Sequence, residues 1–395
     1  MAASDSRQLH LLQGVPSYPS PWRLQLVVVG QLLGVFPLRR LGGVGARTPI
    51  WQLSRLLQLF SVVGVFTSSV CFYNFFAVVK LPGQGLKGTL QRWSLIFYAV
   101  SGLPCALGAL CYGRRLERFS NSLLLLAREL RPANQQVWPR GWALRSTALP
   151  AAIYFIDMFR EFQHVKGLSF ELYTVCTVLA YTLPMATETQ YMFMSSILAL
   201  SYQRLGEHIY ALQGPSRSPS EHWLDEVRRS HEQLVSLTCE LHCLLGPQIF
   251  VTVSACLLSL LTGVYFAASA ILEGLVDADG SEGVSMANQS DIVYFTARLI
   301  AICATADTVK AAAAAVVNGS IRVDYGTWHT NSKERWNMFL SQLETVTPSF
   351  SVAGIAKIGM GLLSGMIATT LTYLLVLLQF DTARITAARA SANSR

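Results

Sequence analysis

Seven stretches of about 20 residues, each apolar and poor in charge, recur along this 395-residue chain. They run from Leu56 to Val79, Trp93 to Tyr112, about Ala143 to Phe162, Leu172 to about Tyr202, Gln248 to Leu272, Ile292 to Val317, and Ile358 to Phe380. A bilayer can hold that many long apolar runs, and within it each must close its own backbone hydrogen bonds, which makes it a helix. The apolar share of 52% agrees. The expected fold class is an all-α polytopic membrane protein with seven transmembrane helices. Leu24 to Phe36 is too short to span and reads as a short interfacial or re-entrant helix in an N-terminal segment, residues 1–50.

Threading the runs through a bilayer gathers nineteen Lys and Arg residues on one side and eight on the other. The rich side includes Arg39, Arg40, Arg114, Arg115, Arg118, Arg228, Arg229 and Arg335. By the positive-inside rule this predicts a cytoplasmic N-terminus and an extracellular C-terminus. The stretch Glu273 to Asp291 has no Lys or Arg, as an outer loop should, and carries a glycosylation acceptor at Asn288-Gln289-Ser290.

Most other function classes lack their residues. The net charge of +8 sits in loops, where topology accounts for it, so no nucleic-acid partner is expected. There is no phosphate-cradling glycine loop, no His-Glu-x-x-His and no glycine-flanked nucleophilic serine, so no enzyme is expected. Cys239 and Cys243 flank His242, but no second ligand pair follows, so neither a metal nor another cofactor is expected.

Charges inside the runs need partners or water. Asp307 and Lys310 are three residues apart and can pair on one helix face. Asp157 and Arg298 lie on separate runs in the outer half; either they bridge each other or they line a cavity open to the outside. Glu188 interrupts the fourth run. Tyr98, Tyr154, Tyr173, Thr177, Tyr265 and Tyr294 cluster at the depth of Asp157 and Arg298, and together they suggest a pocket that stacks and hydrogen-bonds a small molecule. Most aromatics at that depth are ordinary interfacial residues in any membrane protein.

The loops predicted inside are patterned. Leu224, Val227, Leu234, Leu237, Leu241 and Leu244 recur at helical spacing, as do Trp336, Phe339, Leu340 and Leu343 before the last run. Such amphipathic helices either join subunits below the membrane or cap the chain's own bundle.

The last run has no charge, yet its polar and small residues line up. Gly361, Gly365, Thr369, Thr372, Val376 and Gln379 share one stripe, with Tyr373, Leu377 and Phe380 beside it. One reading is a small-residue packing seam on Gly361 and Gly365; the other is a helix lining a water-filled path. The run ends Thr372-Tyr373, five apolar residues, Gln379-Phe380. That ending resembles the TYhhhhhQF motif of insect gustatory receptors, with every fixed position present at the end of the last of seven runs. Gly34-Val35-Phe36-Pro37-Leu38-Arg39 also looks like an N-terminal segment of that family.

The resemblance implies a tastant-gated cation channel built from four subunits, identical or related, in the plasma membrane of a chemosensory neuron dendrite. It implies a cytoplasmic anchor over 318–349, six helices with an outer ligand pocket over 51–317, a pore-lining helix over 350–380 and an outer tail over 381–395. Thr372, Val376, Gln379 and Phe380 would form pore and gate, and Asp381 a ring of carboxylates at the outer mouth. Partners would be a small-molecule tastant, other receptor subunits and membrane lipid. Sugar-sensing members tend to have an acidic residue after the motif tyrosine; here Leu374 stands there, which leans toward a bitter-type or other non-sugar tastant. The competing expectations are an odorant-receptor-like channel subunit and a polytopic membrane transporter, though no inverted repeat is visible.

Overall fold

The computed structural model describes residues 38–41, 50–53, 86–130, 168–213, 219–274, 285–345, 348, 351–352 and 356–393, with isolated helical residues between 58 and 70. The architecture is all-α and long-helical, as the apolar runs predict. The helices are α1 (Leu86–Glu129), α2 (Leu168–Tyr210), α3 (Glu221–Gly274), α4 (Ser285–Ile321), α5 (Thr330–Thr345) and α6 (Met360–Asn393). A single 3-10 turn, Ala211–Gln213, ends α2. Stretches Glu221–Ser269, Ile292–Ile321 and Met360–Phe380 are long and apolar enough to cross a membrane. The first and third runs and the segment Leu24 to Phe36 fall largely outside the described residues.

Helices outgrow the apolar runs. The stretch after Tyr112 stays helical, so α1 continues to Glu129, and α3 begins at Glu221, well before Gln248, and runs on through Pro247. The loop expected outside is shorter than the sequence suggested: α3 ends at Gly274 and α4 starts at Ser285, so Asn288 lies on the first turns of a helix instead of in a loop. Its side chain is not among those described. The last helix likewise starts at Met360 and runs on to Asn393, through the segment expected to be a tail.

Two short antiparallel hairpins interrupt the helices. β1 (Leu38–Leu41) pairs with β2 (Ile50–Leu53), and β3 (Ser351–Val352) pairs with β4 (Ala356–Lys357) just before α6. Neither was expected from the hydrophobic pattern, because two to four residues are too few to display a strand's alternation.

The core is one continuous packing of α1, α2, α3 and α4, in which α2 lies most extensively against α4 and α1 against α3. Gly108 marks the close crossing of α1 and α3, since a Cβ there would run into the Gln248 amide. The patterned residues of α3, from Leu224 to Leu244, are all buried in this core. So are Trp336, Phe339 and Leu343 of α5, with Trp336 stacked edge-on to Trp328 at 5.5 Å and His231 edge-on to Phe339 at 5.8 Å. Arg335 ties α5 to the start of α3 through Glu221 at 3.0 Å and through Asp225. The apolar face of α5 therefore caps its own bundle, and any contact between subunits there must use its other face.

Candidate functional site

Two polar constellations stand out in this apolar bundle. One is closed inside it and the other is turned away from it.

The inner one is built on α2 and α4. Arg298 of α4 meets Glu188 of α2 edge to edge, with Nη2 donating to Oε1 at 2.6 Å and Nε to Oε2 at 2.9 Å. Arg298 Nη1 also donates to the Tyr294 hydroxyl at 3.3 Å, and the guanidinium carbon lies 5.0 Å from the Tyr294 ring centroid and 5.9 Å from that of Phe295. Tyr294 and Phe295 themselves pack at 5.0 Å. The Tyr294 hydroxyl donates onward to the Met185 sulfur at 3.8 Å. The Cys105 thiol of α1 is buried and donates to the Ser101 carbonyl of its own helix at 3.2 Å. Arg298 and Glu188 are each 1% exposed. Two charges withdrawn from water to this degree require a paired, two-pronged geometry, and that is what is present.

This arrangement changes the expected partner of Arg298. Its guanidinium is engaged by Glu188, and being buried it does not line an open cavity; Asp157 lies outside the described residues. Of the eight residues expected around a pocket, Tyr294 and Arg298 come together. Tyr265 is fully buried on α3 with Phe266 at 5.8 Å. Tyr98, Tyr173 and Thr177 sit on α1 and α2 with side chains beyond those described, and Tyr154 also lies outside. Glu188 was visible in the sequence as the acid interrupting the fourth run, and its burial opposite an equally buried arginine is what brings it into the site.

A shallow cleft lies elsewhere, at the α1 and α3 crossing, lined by Gly108, Ala109, Tyr112, Leu116, Leu244, Leu245 and Gln248. Its lining is mostly apolar, with the Gln248 amide as the main polar group.

The outer constellation is α6. Within the apolar 18-residue window of each spanning stretch, 17% of the residues of α6 are buried, against 56% for α3 and 50% for α4. The face that packs on the bundle carries Leu363, Met366 and Thr370, with Leu374 and Leu377 half-buried in line with them. Gly361, Gly365, Thr369, Thr372, Val376 and Gln379 are all exposed on the far side. A Cβ added at Gly361 or Gly365 would touch nothing within 4 Å, so these glycines form no seam within the chain. Tyr373 and Phe380 are exposed as well, Phe380 at 66%. Asp381 continues the helix, with its side chain outside the described set.

The threonines of α6 do not wait for water. Thr369 donates to the Gly365 carbonyl at 2.8 Å, Thr372 to that of Ala368 at 2.9 Å and Thr370 to that of Met366 at 2.8 Å. Back-bonding to the preceding turn satisfies a hydroxyl in hydrocarbon. Gln379, whose amide is too long to do the same, is the group on this stripe that most needs a polar neighbour.

Among the described residues no group of three or more His, Cys, Asp or Glu could hold a metal ion.

The family profile described as 7tm Chemosensory receptor matches residues 25–384. No curated protein matches the sequence. Among solved structures, the insect olfactory receptor OR5 from Machilis hrabei superposes with a TM-score of 0.64 at 15% identity, over 91% of this chain and 98% of that one. The same receptor in complex with eugenol gives 0.65 at 14% identity over the same shares. At such identity the likeness is one of fold.

Proposed function

The chain belongs to the 7tm chemosensory receptor family, and from that membership we propose that it is a subunit of a tastant-gated, non-selective cation channel of the gustatory type. The observation that carries this reading is the far face of α6. An apolar helix that leaves its small and polar stripe, ending in Gln379, unpacked against its own chain fits an assembly in which copies of α6 surround a shared aqueous path. The intact Thr372-Tyr373 to Gln379-Phe380 ending favours a gustatory assignment, and Leu374 favours a bitter-type or other non-sugar tastant.

On this reading four subunits, identical or related, assemble in the plasma membrane of a chemosensory neuron, with N-termini inside and C-termini outside. Thr372, Val376, Gln379 and Phe380 line the pore and gate, and Asp381 faces the outer mouth. The ligand pocket of this reading draws on Tyr98, Tyr154, Asp157, Tyr173, Thr177, Tyr265 and Tyr294, with the closed Glu188 and Arg298 pair behind Tyr294. Aromatic and hydroxyl groups of this kind suit a small, partly polar organic molecule.

A second reading, an odorant-gated subunit, is favoured by the shared fold with an olfactory receptor solved with eugenol. Voltage-clamp recording of cells expressing the full chain, alone and with related subunits, tests both against a panel of bitter compounds, sugars and volatile phenols. A bitter-evoked cation current supports the first reading, a phenol-evoked current the second, and surface-expressed receptor silent to the whole panel in every subunit combination rejects the channel. Asp381→Asn should lower single-channel cation conductance at low salt; unchanged conductance removes Asp381 from the mouth.

A further inference from the structure

The start of α6 is held by a different helix. Gly359, the residue before it, has no side chain with which to cap the helix, although its carbonyl accepts the amides of Leu362 at 3.0 Å and Leu363 at 3.3 Å. The Met360 amide instead donates to Asp307 Oδ2 of α4 at 2.7 Å. Asp307 Oδ1 in turn accepts from Lys310 Nζ at 3.0 Å, and the same ammonium donates to the Ile358 carbonyl. The two charged residues thus embrace residues 358–360 from both sides, taking one free donor and one free acceptor of the incoming backbone. Ile358 and Gly359 are buried under them, and a Cβ on Gly359 would strike both Asp307 Oδ1 and Lys310 Nζ. A carboxylate at a helix start answers both the unpaired amides and the helix dipole.

We propose that Asp307 and Lys310 are positioning residues that clamp the first turn of α6 to α4, making α4 the element through which the ligand site moves the pore helix. Arg298 precedes Asp307 by nine residues on the same helix, about 13 Å along its axis. A shift of α4 at the buried pair therefore displaces the clamp, and with it the base of α6. The coupling half of this inference rests on the channel reading above; the clamp itself does not.

The experiment uses the full-length receptor and two readouts. The first is hydrogen exchange at residues 360–363 in nanodiscs, which needs no current. Asp307→Ala should raise exchange there at least tenfold, while Asp307→Asn, which keeps an acceptor for the Met360 amide, should raise it less. The charge-swapped Asp307→Lys/Lys310→Asp receptor should remain deprotected, because a lysine cannot accept from that amide. Should Asp307→Ala fail to fold, Gly359→Ala serves in its place, since it displaces the same pair while keeping both charges. Unchanged exchange in these variants, or full recovery by the swap, overturns the clamp.

The second readout is the agonist dose-response. Asp307→Asn and Gly359→Ala should shift the half-maximal concentration or the ligand-free current by roughly fivefold or more. A wild-type receptor that passes current, with variants deprotected yet normal in response, overturns the coupling and leaves the clamp standing. A wild-type receptor that passes no current defeats the channel reading and with it the coupling, and the exchange result still decides the clamp.

Discussion

α4 and α6 are both apolar helices with threonines that bond to their own preceding turn, and they differ in what else their spanning stretches carry and where it faces. On α4, Arg298 reaches across to Glu188, 110 positions earlier in the chain, and both are sealed from solvent. On α6, the threonines bond to their own preceding turn and the whole stripe faces outward. The fully buried Arg298 takes its charged partner from another helix, whereas a hydroxyl can be satisfied locally. Polarity on α4 therefore reports on the fold of one chain. The small residues and glutamine of α6 are left uncovered by their own chain.

That contrast can be broken by substitution. The largest effect is expected for Glu188→Leu, which strands Arg298 and should cost about 3–5 kcal/mol. It should appear as loss of monodisperse receptor in detergent, and Glu188→Leu/Arg298→Leu should recover most of it. If the single variant is as stable as wild type, the pair does not carry the interior.

Smaller effects should separate the two faces of α6. Met366 packs on the bundle and its neighbour Ile367 points away. Met366→Ala should lower the thermal midpoint by an amount corresponding to about 1 kcal/mol of lost packing, more than Ile367→Ala. Equal shifts would mean that the packed face is misassigned. Gly365→Ala, with open space around it, should leave the isolated subunit within about 0.5 kcal/mol while weakening any assembly that brings neighbours onto that stripe, read by crosslinking in membranes. The smallest effect on stability belongs to Thr372→Val, also within about 0.5 kcal/mol, because only a self-contained hydroxyl bond is lost. Altered single-channel conductance in that otherwise stable variant would locate Thr372 in the conduction path.

Parts of the site were readable before the fold. The Asp307 and Lys310 pair follows from their spacing on one helix, and the structure has it at 3.0 Å. The α6 stripe follows from helical periodicity, and its six members do share one exposed face. The partner of Arg298 was not readable, because pairing between helices depends on rotation and depth, which hydropathy does not encode. Glu188 and Asp157 were equally eligible by composition. The role of α5 was undecided for a related reason, since an amphipathic face announces that it will be covered without saying by what. Here Trp328 packs on Trp336 and His231 of α3 packs on Phe339, all within one chain.

By itself the sequence determined the all-α membrane architecture, because apolar runs of bilayer length have no other way to close their backbone hydrogen bonds. It determined the polar register of the last helix and, through the Thr372 to Phe380 ending, the kind of receptor the chain resembles. Only the tertiary structure decided that Arg298 answers Glu188, that the glycine stripe of α6 turns away from its own bundle, and that α6 begins under a carboxylate supplied by α4. Each of these joins residues far apart in the chain, and such contacts are set by the geometry of packed helices instead of by any local pattern.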